Sequence, residues 1–276
     1  MRTPVLSTAI LATFIGTASV RAADPPPPPA PPLAAVEAPA QWGGLYLGAF
    51  AGYGWSATPS TIGLASATMA LFPPIIPTIE NAGSNKVKWA GALVGLSGGY
   101  NVMLGENVLA GVEADFTVPF MSGRVETGGV VPVFNGPFRF EQKTSMDWMS
   151  TLRARMGLVL TDRAMAYVTG GVALAQLRHS SDFADVFSEY EFFRLSATRF
   201  GWTLGAGLEY AFSRNWSAKV EYLHAAFGGA SGLGYSILND GSLAWVHHRL
   251  RDTSVDMVRI GVNYRFGGEA PVVAKY

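Results

Sequence analysis

Residues 256–276 read "DMVRIGVNYRFGGEAPVVAKY", and their first half alternates in polarity almost without a break. Val258, Ile260, Val262, Tyr264 and Phe266 share one parity, and Arg259, Gly261, Asn263 and Arg265 the other. Successive side chains of an extended chain point to opposite faces, so a period of two makes a β-strand with one apolar and one polar face. Which face meets oil decides the fold.

Outward from this stretch the same period recurs. In "GWTLGAGLEYAF" (201–212), Trp202, Leu204, Ala206, Leu208, Tyr210 and Phe212 oppose Thr203, Gly205, Gly207 and Glu209. In "NWSAKVEYLH" (215–224), Trp216, Ala218, Val220 and Tyr222 oppose Ser217, Lys219 and Glu221. In "DWMSTLRARMGLVL" (147–160), Trp148, Leu152, Ala154, Met156, Leu158 and Leu160 oppose Thr151, Arg153, Arg155 and Gly157. Weaker alternation runs through 43–56, 86–102, 106–120 and 163–177, which makes eight strands. Many exceed the usual soluble strand of about 5–6 residues and match the roughly 9–11 that cross a bilayer at a tilt.

The connections alternate too. Met103–Gly105, Thr161–Asp162 and Ser213–Arg214 read as tight turns, whereas 57–85, 121–144, 178–199 and 228–254 read as long loops. A closed meander with all long loops at one end and both termini at the other is the pattern of outer-membrane barrels. Soluble eight-stranded barrels show the same alternation with the faces exchanged. Two features favour oil outside. The apolar faces begin or end in Trp148, Trp202, Tyr210, Trp216, Tyr222, Tyr264 and Phe266, as interfacial girdles do. The polar faces carry few charges among many small residues: Glu113, Asp115, Arg153, Arg155, Glu209, Lys219, Glu221, Arg259 and Arg265. A narrow lumen would force these to pair, since an unpaired buried charge is very costly. The predicted fold is all-β, an eight-stranded antiparallel up-and-down transmembrane β-barrel with oil outside.

Bulk composition agrees. The chain is 49% hydrophobic and only 14% charged, against about a quarter charged in soluble domains. Its 20 basic and 20 acidic residues cancel, so net charge suggests no nucleic-acid partner. Without cysteine, disulfides, thiolate metal sites and a lipid-modified N-terminal cysteine are excluded. Residues 1–22 read as an export signal, with Arg2, a short apolar run and the small residues Val20 and Ala22 before the cut. Residues 23–40, "ADPPPPPAPPLAAVEAPA", form a stiff polyproline spacer, 41–266 the barrel, and 267–276 a tail.

Several stretches, "WGGLYLGAFAGYGW" (42–55), "GVEAD" (111–115), "DWMSTLRARMG" (147–157), "YVTGGVA" (167–173), "GWTLGAGLEYAFSRNWSAKVEY" (201–222) and "VRIGVNYRF" (258–266), together resemble the alphaproteobacterial small porin-like family of immunogenic outer-membrane proteins (the Omp25/Omp31 type). The resemblance implies a non-enzymatic barrel that stabilises the envelope among outer-membrane lipid and lipopolysaccharide. In some members it also implies modest pore behaviour or haem binding at the surface. The Tyr264–Phe266 pair is similar to the C-terminal signal read by the outer-membrane assembly machinery, although here ten residues follow it. Members of this type are also linked to peptidoglycan through an N-terminal Ala-Asp or Ala-Glu, which here would be Ala23-Asp24.

Chemistry is sparse. "GLSGGY" and "GAGLEY" precede no helix, so they are not phosphate cradles. His247-His248, in the last long loop, reads as a solvated pair before it reads as a ligand set. His179-Ser180 beside Asp182 holds hydrolase residue types without the spatial convergence a triad needs. Arg153 and Arg155 with Glu209 and Glu221 form either a selectivity constriction or a salt-bridged plug, the plug being favoured at this strand number. No catalytic, metal or cofactor site is predicted. The expected function is a structural outer-membrane barrel with at most a narrow pore. The alternative is a surface receptor for haem or a host molecule, using the apolar segment 61–83, "TIGLASATMALFPPIIPTIENAG", as an exposed patch.

Overall fold

The computed structural model describes residues 42–64, 75–131, 135–186, 190–237 and 243–266. The export signal, the proline spacer with Ala23 and Asp24, and the tail lie outside the described residues. The described residues form ten strands and one helix: β1 Gly44–Leu64, α1 Ile75–Gly83, β2 Lys86–Met103, β3 Val108–Val131, β4 Gly136–Thr161, β5 Ala164–Asp185, β6 Tyr190–Ala211, β7 Trp216–Phe227, β8 Ala230–Ile237, β9 Leu243–Leu250 and β10 Thr253–Arg265. Eight of them, β1 to β7 and β10, pair in antiparallel sequence, and β10 closes the ring on β1 through pairs such as Phe50 with Gly261.

Strand boundaries depart from the sequence reading at the extracellular end. Much of what reads as long loops is strand: β3 to β6 run 22 to 26 residues. The reason is an inversion of polarity along one strand. In the lower part of β4, Leu152, Met156 and Leu158 face outward and are exposed, while Arg153 and Arg155 are buried inside. In the upper part, Phe138 and Phe140 are buried and Arg139 and Lys143 face outward. Below, the strand has lipid outside; above, it has water outside and must carry its apolar residues inward. A bulge at Asp147, where Met146 pairs with Leu177 and Trp148 with Gln176, makes the change of parity.

Within 228–254, too, the described residues 230–237 and 243–250 are strand where a loop is expected. β7 and β10 stop at Phe227 and Thr253, and the hairpin β8–β9 takes their place in the upper wall, β8 against β6 and β9 against β1. Helix α1 lies across the upper parts of β1 and β3. Its end is tied down by Gln142 Nε2 donating to Gly83 O at 2.7 Å and by Ser60 N donating to Asn85 O at 2.8 Å. Ile79 of the helix and Ile62 of β1 are buried with Val131, Phe138, Phe140, Phe183 and Val246. The expected exposure of segment 61–83 is therefore wrong for Ile62 and Ile79, which close the upper lumen instead; residues 65–74 lie outside the described residues.

Glycines let the narrow lumen hold aromatics. A Cβ at Gly207 would sit 2.6 Å from the Tyr167 hydroxyl and 2.7 Å from the carbonyl oxygen of Val220, so the phenol lies flat on bare backbone. Gly207→Leu is expected to cost about 1–3 kcal/mol through overpacking. Gly63→Ala, which meets nothing within 4 Å, should change stability by no more than about 0.5 kcal/mol. Urea unfolding of the refolded barrel measures both.

Candidate functional site: the filled lumen and the outer collar

The polar parity of the lower strands converges on one layer inside the barrel. Glu113 and Asp115 come from β3, Arg153 and Arg155 from β4, Glu209 from β6, Lys219 and Glu221 from β7 and Arg259 from β10, and all are buried. Arg153 is the hub. It binds Glu113, Asp115 at 3.0 Å and Glu221 at 2.7 Å, and donates to Thr169 Oγ1 at 3.0 Å. Arg155 binds Glu209 and lies 3.8 Å from the Tyr167 ring centroid. Lys219 binds Glu113 at 2.9 Å, and Arg259 binds Glu221 while approaching Asp115 at 3.3 Å and the Phe50 ring at 4.5 Å. Four carboxylates face four cations, 4 − 4 = 0, so the layer is neutral as a unit. Hydroxyls and an amide complete it: Tyr46 donates to Glu113 at 2.7 Å, Thr151 to Asp115 at 2.7 Å and Asn263 Nδ2 to Glu209 at 3.1 Å. Arg265, read from sequence as part of this set, stands over the Trp42 ring at 4.4 Å.

Apolar layers bracket the charges. On the periplasmic side Trp42, Leu109, Met165, Tyr167 and Ala211 pack together. On the outer side lie Phe50, Trp89, Leu93, Met121, Met149, Leu223, Phe227 and Met257 among others. Higher still comes a polar belt that the sequence did not reveal. His179 Nδ1 is 2.9 Å from Thr144 Oγ1, and His248 stacks on Phe193 with centroids 3.8 Å apart and planes at 6°. His179 stands two turns of alternation beyond Leu174, where outward neighbours have become Gln176 and Arg178, so it lies above the lipid. Burial, helped by His248 and Arg199, pushes its pKa down to about 4. The two adjacent histidines of β9 project to opposite faces, as strand neighbours must: His248 is buried and His247 is exposed. They do not form a solvated loop pair. His179 faces in while Ser180 and Asp182 fall on the opposite parity, Asp182 holding Arg194 at 2.6 Å, so these three do not converge.

The aromatic parity faces outward at two levels. Tyr210, Trp216, Tyr264 and Phe266 cluster at the short-turn end, with Trp216 against Tyr264 at 5.1 Å and Tyr264 against Phe266 at 5.0 Å. Trp148, Trp202 and Tyr222 stand toward the other, Trp148 stacked on Phe116 and Tyr222 donating to Asp256 at 2.6 Å. Tyr53, Trp55, Tyr100, Phe120, Phe200 and Phe212 are also exposed; weak alternation in β1 to β3 hid most of them. Between the levels the wall is bare hydrocarbon, with Leu96 at 67% and Ile260 at 63% exposure, a surface only lipid can cover.

A family model described as "Outer membrane protein beta-barrel domain" matches residues 12–266. The 31 kDa outer-membrane immunogenic protein of Brucella melitensis biotype 1 is 33% identical over 187 residues, covering 67% of this chain and 70% of that protein. The 25 kDa outer-membrane immunogenic protein of Brucella abortus biovar 1 is 28% identical over 269 residues, 96% of this chain and 99% of the relative. Among solved structures, the outer membrane protein OprG from Pseudomonas aeruginosa is 14% identical with a TM-score of 0.45, covering 81% of this chain and 98% of that one. The family-model match and the 33% identity to the 31 kDa protein show that the chain belongs to the outer-membrane β-barrel family, of the 25 kDa and 31 kDa immunogenic type, and resides in the outer membrane.

Proposed function

We propose that this protein is a structural outer-membrane barrel that supports the envelope and does not conduct. The observation that carries the reading is the layering of the lumen. A neutral, mutually paired charge layer lies between two packed apolar layers, with a third apolar cluster under α1. Eight strands leave an interior just wide enough for side chains, and apolar constrictions exclude water and ions. The charge layer is then a rigid plug whose carboxylates and cations pair with one another. Reconstitution in a planar bilayer is expected to give no discrete channel steps; steps at native sequence would overturn the reading.

A second reading, a surface receptor, draws on the rim. Leu233, Tyr235 and Trp245 on the β8–β9 hairpin are exposed, next to outward His247. His248 contributes nothing there, being sealed inside. Covalent attachment at Ala23 and docking on the assembly machinery through Phe266 belong to the same structural role.

A further inference from the structure

Above the outer aromatic level the charged collar is lopsided. On β3 to β6 the outward cations are neutralised by outward carboxylates. Arg124 binds Glu141 at 2.6 Å, Arg139 binds Glu126 at 2.7 Å, Arg178 binds Asp147 at 2.7 Å and Arg194 binds Asp182 at 2.6 Å. On the side formed by β2, β9 and the segment before β10, Lys86, Lys88, Arg249 and Arg251 are exposed, and among the described residues none makes an ion pair. The nearby carboxylate, Asp252, accepts the Gly229 N–H at 2.9 Å. The patch thus carries 4 − 1 = +3 on a chain whose net charge is zero.

Register places this patch just outside the hydrocarbon. Trp55 pairs with Ala90, Ala57 with Lys88 and Pro59 with Lys86, so the lysines begin two residues above the tryptophan. Arg251 N donates to Pro59 O at 3.1 Å, and Arg249 pairs with Thr61, which carries the arginines to the same side. A recess of about 830 Å³ opens there, between the start of β10 and the start of β8. Thr61, Ser231, Arg249 and Arg251 line it, supplying hydroxyl and guanidinium donors, together with the carboxylate of Asp252. It exists because β7 and β10 stop short and the hairpin β8–β9 replaces them in the wall.

We infer that this recess, with Arg249 and Arg251 in its lining and Lys86 and Lys88 on the far side of β1, forms a seat for the phosphate groups of the outer-leaflet glycolipid. Basic side chains at headgroup depth are drawn to anionic lipid, and arginine forks fit phosphate in pairs. On this side, among the described residues, Asp252 is the one carboxylate lining the recess, and it forms no ion pair with any of the four cations, unlike the carboxylates of the other half of the collar. A lipid whose acyl chains lie along the Leu47–Tyr53 wall would bring its phosphorylated sugars level with Lys88 and Arg251.

The test is binding of purified full-length protein, refolded in detergent micelles, to bisphosphorylated lipid A and to its dephosphorylated form, counted by native mass spectrometry. Two quartets are compared, each checked for folding by the gel shift on boiling: Lys86→Gln with Lys88→Gln, Arg249→Gln and Arg251→Gln, and Arg124→Gln with Arg139→Gln, Arg178→Gln and Arg194→Gln. The first is expected to bind bisphosphorylated lipid A at least about tenfold more weakly, and the second within about twofold of the native chain. On the native chain, dephosphorylated lipid should bind as weakly as the first quartet, and raising salt should release bisphosphorylated lipid A. Equal loss in both quartets, no loss in the first, or indifference to phosphate would overturn the site. If the first quartet fails to fold, the phosphate and salt dependence of the native chain decide alone. A barrel that shows no gel shift at all would instead count against membrane insertion, a separate failure.

Discussion

Arg153→Met is expected to destabilise the barrel by about 3–5 kcal/mol, the cost of leaving buried charges without their partner. Arg153 is fully buried and touches three carboxylates on two strands, Glu113 and Asp115 on β3 and Glu221 on β7. Methionine fills most of its volume yet leaves an excess negative charge in a layer whose formal charges sum to zero. Lys219 and Arg259 remain, each already engaged with Glu113 and Glu221 respectively. Arg124→Met removes an ion pair of the same nominal kind, Arg124 with Glu141 at 2.6 Å, but that arginine is half exposed. Its loss should cost no more than about 1 kcal/mol. Urea titration of the two refolded variants, followed by tryptophan fluorescence, separates them. Equal midpoints would mean that the lumen is wet and that the paired layer does not hold the strands together.

Acidification is expected to loosen the upper wall while leaving the lipid-embedded ring intact. His179 has a folded pKa of about 4 against an ordinary 6.5, because burial beside His248 and Arg199 disfavours its charged form. Its other neighbours, Thr144 and the ring of Phe193, offer no negative charge. The unfolded histidine therefore binds a proton that the folded one refuses. Stability is complete above pH 6.5 and falls as pH drops toward 4, by roughly 3 kcal/mol in total. Hydrogen exchange in residues 176–185 and 192–199 should accelerate over that window, and His179→Asn should flatten the dependence. Unchanged exchange would show that the pocket admits water enough to solvate an imidazolium.

Most of the ring was legible in the sequence because lipid outside and a crowded polar lumen inside force strict alternation. That contrast is strongest in 256–266, 201–212 and 147–160. It is weakest in β1 and β2, where glycine and alanine fill both faces. The nine polar lumen residues could be named from parity, since a charge on the polar face of a membrane strand has no other place to go. Their partners could not. Arg153 meets Glu221 across 68 residues of chain, and which cation meets which carboxylate depends on shear and side-chain reach that periodicity does not encode.

By itself, the chain's pattern of polarity determined the barrel, its strand count through the membrane, the inward set of charges and the outward aromatics. Tertiary structure decided everything above the membrane. There the strands continue with their polarity reversed, apolar residues such as Phe138, Phe140 and Phe183 turn inward, and a hairpin completes the wall where β7 and β10 end. The physical reason is a change of solvent along one strand. A two-residue period states that two faces differ, and only the surroundings, lipid below and water above, say which of them is buried.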